Sequence, residues 1–236
     1  MALPQLNTAR FGTTIPSTKQ EITFRPYVVG EEKVLMMAME SKDNKQMMRA
    51  LKDILGACIF DNIDIDSLAS FDIEWLFLQL RSKSVGEGIE VKLKCDDEDC
   101  TGVTDIAIDI DDIKMQDEKP DNNIQLTPEV GVVLRYPSVK ELENYSQENL
   151  ETLDGAFKFI CDCLDQIYDN DDVFQMADTP KAEIEEFVNN LNSDQFKLIT
   201  TWLTKLPAVV HNIEYDCVVC KKQNTVELRG LQSFFT

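Results

Sequence analysis

The sequence has few basic residues and a single histidine. Its 236 residues include 23 Lys and Arg against 43 Asp and Glu, which gives a formal net charge of −20 at pH 7. This excess of negative charge repels phosphate groups, so we expect no direct binding to nucleic acid. The one histidine, His211, stands in a strand-like stretch, where a structural role is more common than a catalytic one.

Long apolar runs and catalytic signatures are also missing. No stretch approaches the roughly 18 consecutive apolar residues of a membrane span, and the polar N-terminus lacks the apolar segment of a secretory signal. There is no nucleophile elbow, P-loop, dinucleotide-binding fingerprint or His-Glu-x-x-His motif. Two acidic stretches, residues 61–66 and 169–172, lack the glycine of a calcium-binding loop. We therefore expect a protein that is not an enzyme and does not span a membrane.

Four of the seven cysteines form two matching pairs. Cys95 and Cys100 interrupt one stretch of alternating apolar and polar residues, and Cys217 and Cys220 interrupt another. Alternation with a period of two predicts strands, so each pair is expected at the tip of a β-hairpin. Thiolates at this spacing in two such hairpins are typical ligands of tetrahedral zinc. Because all four ligands are sulfur, no position is left for water, and the predicted zinc site is structural.

Other interpretations of the cysteines remain open at this point. Iron is the other metal that four thiolates bind. Two disulfides would fit the pairing, but the missing secretory signal favours a reducing compartment. A redox-active motif is less favoured, because no strand-to-helix transition follows Cys217 and Cys220. The other three cysteines, Cys58, Cys161 and Cys163, lie on apolar helical faces and are expected in the core.

The remaining pattern predicts an α+β fold. Residues 1–20 are polar and interrupted by Pro and Gly, which predicts an extended N-terminal arm that a partner orders. Residues 21–236 are expected to form one domain, with a helical block over about residues 138–206 between the two hairpins. A metal shared by the hairpins, about residues 89–110 and 209–230, would make a zinc-ribbon-like site and tie the C-terminus to the middle of the chain. One interlocked unit is therefore favoured over two independent domains.

Acidic residues concentrate in segments that are predicted to be loops. A helix is expected from about Leu150 to Tyr168, and an acidic loop follows it from Asp169 to Asp178. Asp96 to Asp99 form a second acidic loop between the first two cysteines. The acidic stretches Asp162 to Asp178 and Asp96 to Asp99 are expected to face basic surfaces or solvent, so apolar contacts with partners should form elsewhere.

Two apolar segments are candidates for those contacts. One is a methionine-rich helix that carries Met36 and Met39. Methionine fills irregular contacts well, so filling the protein's own core is the favoured role of this helix, and a partner groove is the other. The other is the apolar C-terminal tail, with Leu231, Phe234 and Phe235. Burying one large apolar side chain contributes about 1.5 to 3 kcal/mol, more than an exposed ion pair.

Three further stretches carry a resemblance to a known family. They are Phe24–Tyr27 (FRPY), Glu31–Ser41 (EEKVLMMAMES) and Asp72–Glu87 (DIEWLFLQLRSKSVGE). Together with the cysteine hairpins, they resemble the baseplate hub subunit and hub-assembly proteins of T4-like contractile-tailed bacteriophages, from about residue 20 to the C-terminus. The resemblance gives no catalytic residues to carry over.

The resemblance implies a non-enzymatic structural or assembly protein. Such a protein acts in the host cytoplasm during tail assembly, binds other hub and tail proteins, and belongs to the baseplate of the virion tail, where several copies can surround the tail axis. A protein of another class, an acidic host-directed inhibitor that mimics nucleic acid, would space its carboxylates along one face like phosphates. The acid here is clustered in loops, which favours the assembly protein.

Overall fold

The structure is a computed structural model that describes residues 9–41, 43–116, 120–145 and 152–234. Contacts between residues divide the chain into two compact units, Met1–Gln116 with Ala208–Thr236 and Asp117–Pro207. The first unit is therefore discontinuous in sequence, and the second is inserted into it. Both units combine helices with small antiparallel sheets, so the predicted α+β class is confirmed.

The first unit begins with a hairpin, three helices and a second hairpin. In chain order these elements are β1 (Phe11–Thr14), β2 (Glu21–Phe24), α1 (Val29–Ser41), α2 (Asn44–Cys58), α3 (Ser70–Ser84), β3 (Gly88–Lys94), β4 (Val103–Asp109) and β5 (Lys114–Met115). Strand β1 pairs with β2, and β3 pairs with β4, both antiparallel. Helix α3 is largely buried, as its apolar sequence predicts: Ile73 and Leu78 are 0 % exposed.

The N-terminal arm predicted over residues 1–20 is packed onto the first unit where the structure describes it, and it includes β1. Ile15, in the turn after β1, is 1 % exposed. Ser17 donates hydrogen bonds from its backbone N–H and its hydroxyl to the buried carboxylate of Asp72, at 2.9 and 2.6 Å. These tertiary contacts fix a segment whose polar composition predicts mobility. Residues 1–8 lie outside the described residues.

The second unit contains a four-stranded antiparallel sheet and four helices within the residues described. In chain order its elements are β6 (Asn123–Gln125), β7 (Gly131–Leu134), α4 (Val139–Leu142), α5 (Leu153–Cys163), β8 (Leu164–Tyr168), β9 (Val173–Gln175), α6 (Lys181–Asn189) and α7 (Ser193–Thr204). The strand order is β6-β7-β8-β9. Val132, Ile160 and Ile199, which are all 0 % exposed, lie in its core.

Two elements of this unit correct the sequence interpretation. The helix predicted from Leu150 to Tyr168 ends at Cys163, and the next five residues form β8; Leu150 itself lies outside the described part of the chain. The predicted acidic loop after Tyr168 contains β9. Strand β8 pairs with β7 on one side and with β9 on the other, and these ladders outweigh the helical spacing of its apolar residues.

The chain then returns to complete the first unit. Strand β10 (Val209–Asp216) pairs with β11 (Gln223–Arg229) on one side and with β5 on the other, and a single 3-10 turn follows at Leu231–Phe234. Gly230 joins β11 to this turn with φ +74°, a conformation that glycine adopts without steric cost. Both cysteine hairpins thus belong to the same unit, whereas the helical block forms a unit of its own rather than part of one domain over residues 21–236.

The first unit holds a partly buried arginine–glutamate clamp after its first hairpin. Arg25 donates through both terminal nitrogens to the carboxylate of Glu31, at 2.9 and 2.6 Å. Its backbone N–H donates to the carbonyl of Cys58, the last residue of α2, at 3.0 Å. Glu31 also accepts from the N–H of Val28 and so fixes the start of α1. The clamp therefore fastens the hairpin to both helices that follow it.

The second unit repeats this clamp with different residues. Arg135 donates to Glu141, again six residues later, and its N–H donates to the carbonyl of Cys163 at 2.8 Å, at the end of α5. Glu141 accepts from the N–H and hydroxyl of Ser138 at the start of α4. Each unit is thus built on a hairpin, a clamp and a helix that ends in a fully buried cysteine. In the sequence, the clamp can be recognised by an Arg after a strand and a Glu six residues later.

Candidate metal centre

The two cysteine pairs lie at the tips of the β3–β4 and β10–β11 hairpins. At the first tip, the N–H of Cys95 donates to the carbonyl of Gly102 at 2.9 Å. At the second, the N–H of Cys217 donates to the carbonyl of Lys222, also at 2.9 Å. These bonds close each loop at its base and turn both thiols of a pair inward, as the alternating sequence predicts.

The four sulfurs are close enough to share one ion. All four Sγ atoms lie within 4.8 Å of one another. The Sγ atoms of Cys95 and Cys220 are 3.6 Å apart, and those of Cys100 and Cys217 are 3.7 Å apart. Four ligands about 2.3 Å from a central zinc would be about 3.8 Å apart in a regular tetrahedron, whereas disulfide sulfurs are about 2.05 Å apart. The cluster therefore fits a metal, and each hairpin supplies half of the ligands.

Backbone N–H groups support negative charge on the sulfurs. Gly102 donates to the Sγ of Cys100, and Val219 donates to the Sγ of Cys217, both at 3.4 Å. The N–H groups of Cys220 and Val219 lower the pKa of Cys217 to about 6. Since the thiolate is the form that binds metal, this hairpin presents a ligand that is ready at neutral pH.

A buried asparagine connects the two loops. Asn224, on β11, is 1 % exposed. Its Oδ1 accepts from the N–H of Asp96 at 2.9 Å, and its Nδ2 donates to the carbonyl of Lys222 at 2.7 Å. The same oxygen is 3.5 Å from the Sγ of Cys95. Asn224 was not predicted from the sequence; its signal is a polar residue at an inward position of an alternating strand.

Two further bonds hold the hairpins together. The hydroxyl of Tyr215 on β10 donates to the carbonyl of Lys94 on β3, and the N–H of Val218 donates to the hydroxyl of Thr104 on β4. Such bonds around a metal site fix the orientation of its ligands. The two hairpins therefore approach each other through the chain's own contacts as well as through the cysteines.

The outer side of the site carries exposed charges. The Nζ of Lys222 is 3.0 Å from Asp96 and 3.9 Å from Asp97, and the bond to Asp96 raises the pKa of the lysine. All three side chains are well exposed, so their contribution to stability is small. The acidic loop between the first two cysteines is thus partly balanced by a lysine of the second hairpin.

A group of exposed carboxylates near the first hairpin is not a comparable site. Glu87, Asp109 and Asp111 also bring oxygens within 4.8 Å of one another, but all three side chains are exposed. Asp109 accepts a hydrogen bond from the N–H of Asp111 at 3.0 Å, which accounts for its position at the end of β4. We assign no metal to this group.

The predicted contact residues on α1 are on the surface. Met36 is 55 % exposed and Met39 is 36 % exposed, and the neighbouring Met37 is also exposed. The buried side of α1 consists of Leu35 and Ala38. Met36 and Met39 therefore lie on the surface of the first unit and do not fill its core.

The apolar tail is placed differently from the sequence prediction. Leu231 is 8 % exposed and Phe234 is 0 % exposed, because the 3-10 turn after Gly230 folds back and packs against β3 and β11. These two residues are part of the core of the first unit and are not a free contact surface. Phe235 lies outside the described residues.

The remaining predicted residues are placed in strands and cores. The ring of His211, on β10, has its Nδ1 3.3 Å from the carbonyl oxygen of Asp112. Cys58 and Cys163 are fully buried, and burial raises the pKa of each thiol to about 12. Both thiols are therefore protonated at neutral pH and act as core side chains.

Almost the whole chain matches one known protein family. The family described as T4 bacteriophage base plate protein matches residues 8–236, a range that includes both cysteine hairpins and both clamps. The chain belongs to this T4 base plate protein family. The resemblance noted in the sequence is thereby confirmed at the level of the family, and membership indicates a structural protein of the phage tail baseplate.

Other comparisons add no relative. No curated protein and no solved structure matches this base plate protein. Among its described residues, no helix is both long and apolar enough to cross a membrane. The arrangement of the two hairpins around four sulfurs is therefore the most specific chemical feature of the site.

Proposed function

We propose that this base plate protein is a non-enzymatic subunit or assembly factor of the baseplate hub. It binds other hub and tail proteins while the tail is assembled in the host cytoplasm, and it is retained in the virion tail. The observation that carries this proposal is the family match over residues 8–236. The four-sulfur site supports it, because a closed site gives rigidity and leaves no position for a substrate.

The four cysteines hold a structural zinc ion in this proposal. When bound, zinc supplies a tetrahedral cross-link between β3–β4 and β10–β11. Cys95 and Cys100 hold it from one hairpin, and Cys217 and Cys220 hold it from the other. Because the second hairpin follows an inserted unit, this cross-link closes a long stretch of chain, and metal binding is coupled to folding of the first unit.

The exposed methionine side of α1 is the proposed contact with a hub neighbour. Met36 and Met39 offer flexible apolar side chains, which adapt to an irregular surface. Their burial would set the affinity, since each large apolar side chain contributes about 1.5 to 3 kcal/mol when buried. The net charge of −20 would select basic partners and accelerate association.

Incorporation into tails tests the proposal. The chain with an affinity tag is expressed during infection, and tails are purified and washed in high salt. We expect the wild-type chain to remain with hub proteins and Met36→Lys to be largely lost. The matched control is Val85→Lys, since Val85 is 56 % exposed and Met36 is 55 % exposed in the same unit. Recovery with a host nucleic-acid-binding protein and no tail protein would instead support the nucleic-acid mimic.

A further inference from the structure

The second unit has an open sheet edge at β9. In the four-stranded sheet, β8 lies on one side of β9 and no described strand lies on the other. The N–H of Met176 donates to the carbonyl of Asp165 at 2.9 Å, so the backbone of Met176 faces β8. Because backbone direction alternates along a strand, the N–H groups of Val173 and Gln175 point to the open side. An edge with outward N–H groups can accept another strand.

Apolar side chains accompany this edge. Val173 is 59 % exposed and Phe174 is 49 % exposed, which is unusual for a short strand between acidic residues. Beside Phe174 lies a groove of about 410 Å³. Its apolar lining includes Val130, Ile167, Phe174, Met176, Ile184 and Phe187. The groove is large enough for one or two side chains of a bound segment.

The lining of the groove carries charge of one sign. Asp169, Asp178 and Glu183 line it, and no Lys or Arg is among its lining residues. Exposed Asp171 and Asp172 precede β9. A segment that enters this groove therefore meets apolar surface at its centre and carboxylates at its rim.

The comparison of the two clamps shows that β9 is an addition. In the first unit, the residue after the buried cysteine, Ile59, makes only an isolated bridge to Phe24. In the second unit, the corresponding Leu164 begins β8, which pairs with β7 at Leu134 and continues into the β8–β9 hairpin. The shared arrangement of hairpin, clamp and helix thus forms without β9, so the extra strand is not required by it.

We propose that the β9 edge and its groove bind an extended basic segment of another tail protein. The segment adds to the sheet as a strand through the outward backbone groups of Val173 and the outward N–H of Gln175. The carbonyl of Gln175 already accepts from the N–H of Asp178 and the hydroxyl of Thr179. One of its apolar side chains packs on Phe174, and its Lys or Arg side chains face Asp169, Asp178 and Glu183. A second copy of this chain is disfavoured as the occupant, because the net charge of −20 makes two copies repel each other.

This inference rests on the proposed function, since it names the chemistry of one partner. It also changes the expectation for the acidic segment after Tyr168. From the sequence that segment was expected to contribute charge alone, with apolar contacts elsewhere. The structure places exposed Phe174 and Val173 within this segment. The apolar contacts that give affinity and the carboxylates that select a basic partner therefore lie on the same surface.

Peptide binding to the full-length chain loaded with zinc tests the inference. The probe is a fluorescent eight-residue peptide with a central apolar residue and a Lys two positions to either side, so that these three side chains lie on one face of a strand. One control peptide has Glu in place of Lys, and another has Pro at alternate positions, so that it cannot pair as a strand. We expect the basic peptide to bind at least about tenfold more tightly than either control. Equal binding of all three, or no binding below about 1 mM, would overturn the proposal.

Matched variants locate the binding. Phe174→Ala is expected to weaken binding about tenfold, whereas Phe60→Ala, at 48 % exposure in the other unit, leaves it unchanged. Glu183→Gln is expected to weaken binding severalfold. Glu185→Gln, which changes a residue of the same helix that lines a different pocket, is its control. Equal losses within either pair, or a dimer in sedimentation that Val173→Pro abolishes, would contradict the inference.

Tail incorporation separates failure of the inference from failure of the proposed function. If wild type and Phe174→Ala enter purified tails equally, the hub function stands and the β9 site is wrong. If the wild-type chain is absent from tails, the proposed function itself fails. We expect wild type and Phe60→Ala to be retained and Phe174→Ala to be depleted.

Discussion

Gly102 lies directly against the sulfur of Cys217 on the opposite hairpin. A β-carbon at Gly102 would be 2.6 Å from the Sγ of Cys217 and 3.2 Å from the Sγ of Cys100. Neither distance leaves room for a side chain, so the two hairpins can approach each other only because residue 102 has none. The close approach of the four sulfurs therefore depends on a residue that is not one of the four cysteines.

The first prediction concerns this glycine. Gly102→Ala is expected to weaken metal binding about 10- to 100-fold, because a ligand sulfur must move to make room for the methyl group. Competition with a coloured zinc chelator measures the change. Gly88→Ala is the control, since a β-carbon at Gly88 meets no atom within 4 Å. If both variants bind metal like wild type, the close approach of the hairpins is not needed for the site.

The second prediction concerns metal content. Purified wild-type protein is expected to contain about one zinc per chain, and Cys217→Ser is expected to lose it, because three sulfurs bind far more weakly than four. Elemental analysis measures the content. Cys161→Ser is the control, since Cys161 is partly buried in the second unit, outside the cluster. A stable, metal-free native protein would argue against the site.

The third prediction concerns acid. Hydrogen bonds from Arg25 hold the pKa of Glu31 below its usual 4.5. Because the pKa of Glu31 is lower in the folded protein than in the unfolded chain, its ionised carboxylate stabilises the fold at any pH above the unfolded-state pKa. This stabilisation is lost as the pH falls through the lowered, folded-state pKa. Glu31→Gln should therefore lose about 1.5 to 3 kcal/mol at pH 7, and the difference from wild type should shrink below about pH 4. Urea unfolding at several pH values measures this, with Glu32→Gln as the control; a loss that is independent of pH would contradict it.

The fourth prediction concerns the C-terminal tail. Phe234 is 0 % exposed, so Phe234→Ala is expected to lower the free energy of unfolding by about 3 to 5 kcal/mol. Phe60→Ala, at a half-exposed position of the same unit, should lose much less. Denaturant unfolding compares the two. An unchanged midpoint for Phe234→Ala would show that the tail does not pack into the core.

The cluster of four cysteines could be predicted from the sequence because its signals are local. Two alternating runs, each interrupted by paired cysteines, indicate both the hairpins and the cysteines that meet at their tips. The buried Asn224 was not found, because a single polar residue at an inward position does not reveal which backbone groups it will meet. Those groups, at Asp96 and Lys222, belong to two different loops.

The errors share a physical cause, which is pairing between distant residues. The polar arm was predicted to be ordered by a partner, but Ser17 bonds to Asp72 of the same chain, 55 residues away. The residues of β8 suit a helix or a strand, and neighbouring strands decide between them. The tail was predicted to be exposed, but Phe234 completes the core of a unit whose other residues come mainly from the first half of the chain.

The discontinuity of the first unit has a consequence for translation. Cys95 and Cys220 are 125 residues apart, and the whole second unit is synthesised between them. A nascent chain that stops early presents only two of the four sulfurs, which is too few for a tetrahedral site. A metal could therefore bind to all four sulfurs only after the second cysteine hairpin has been synthesised. Truncated chains would lack the cross-link of their first unit, and we expect them to be incorporated into tails less efficiently than the full-length chain.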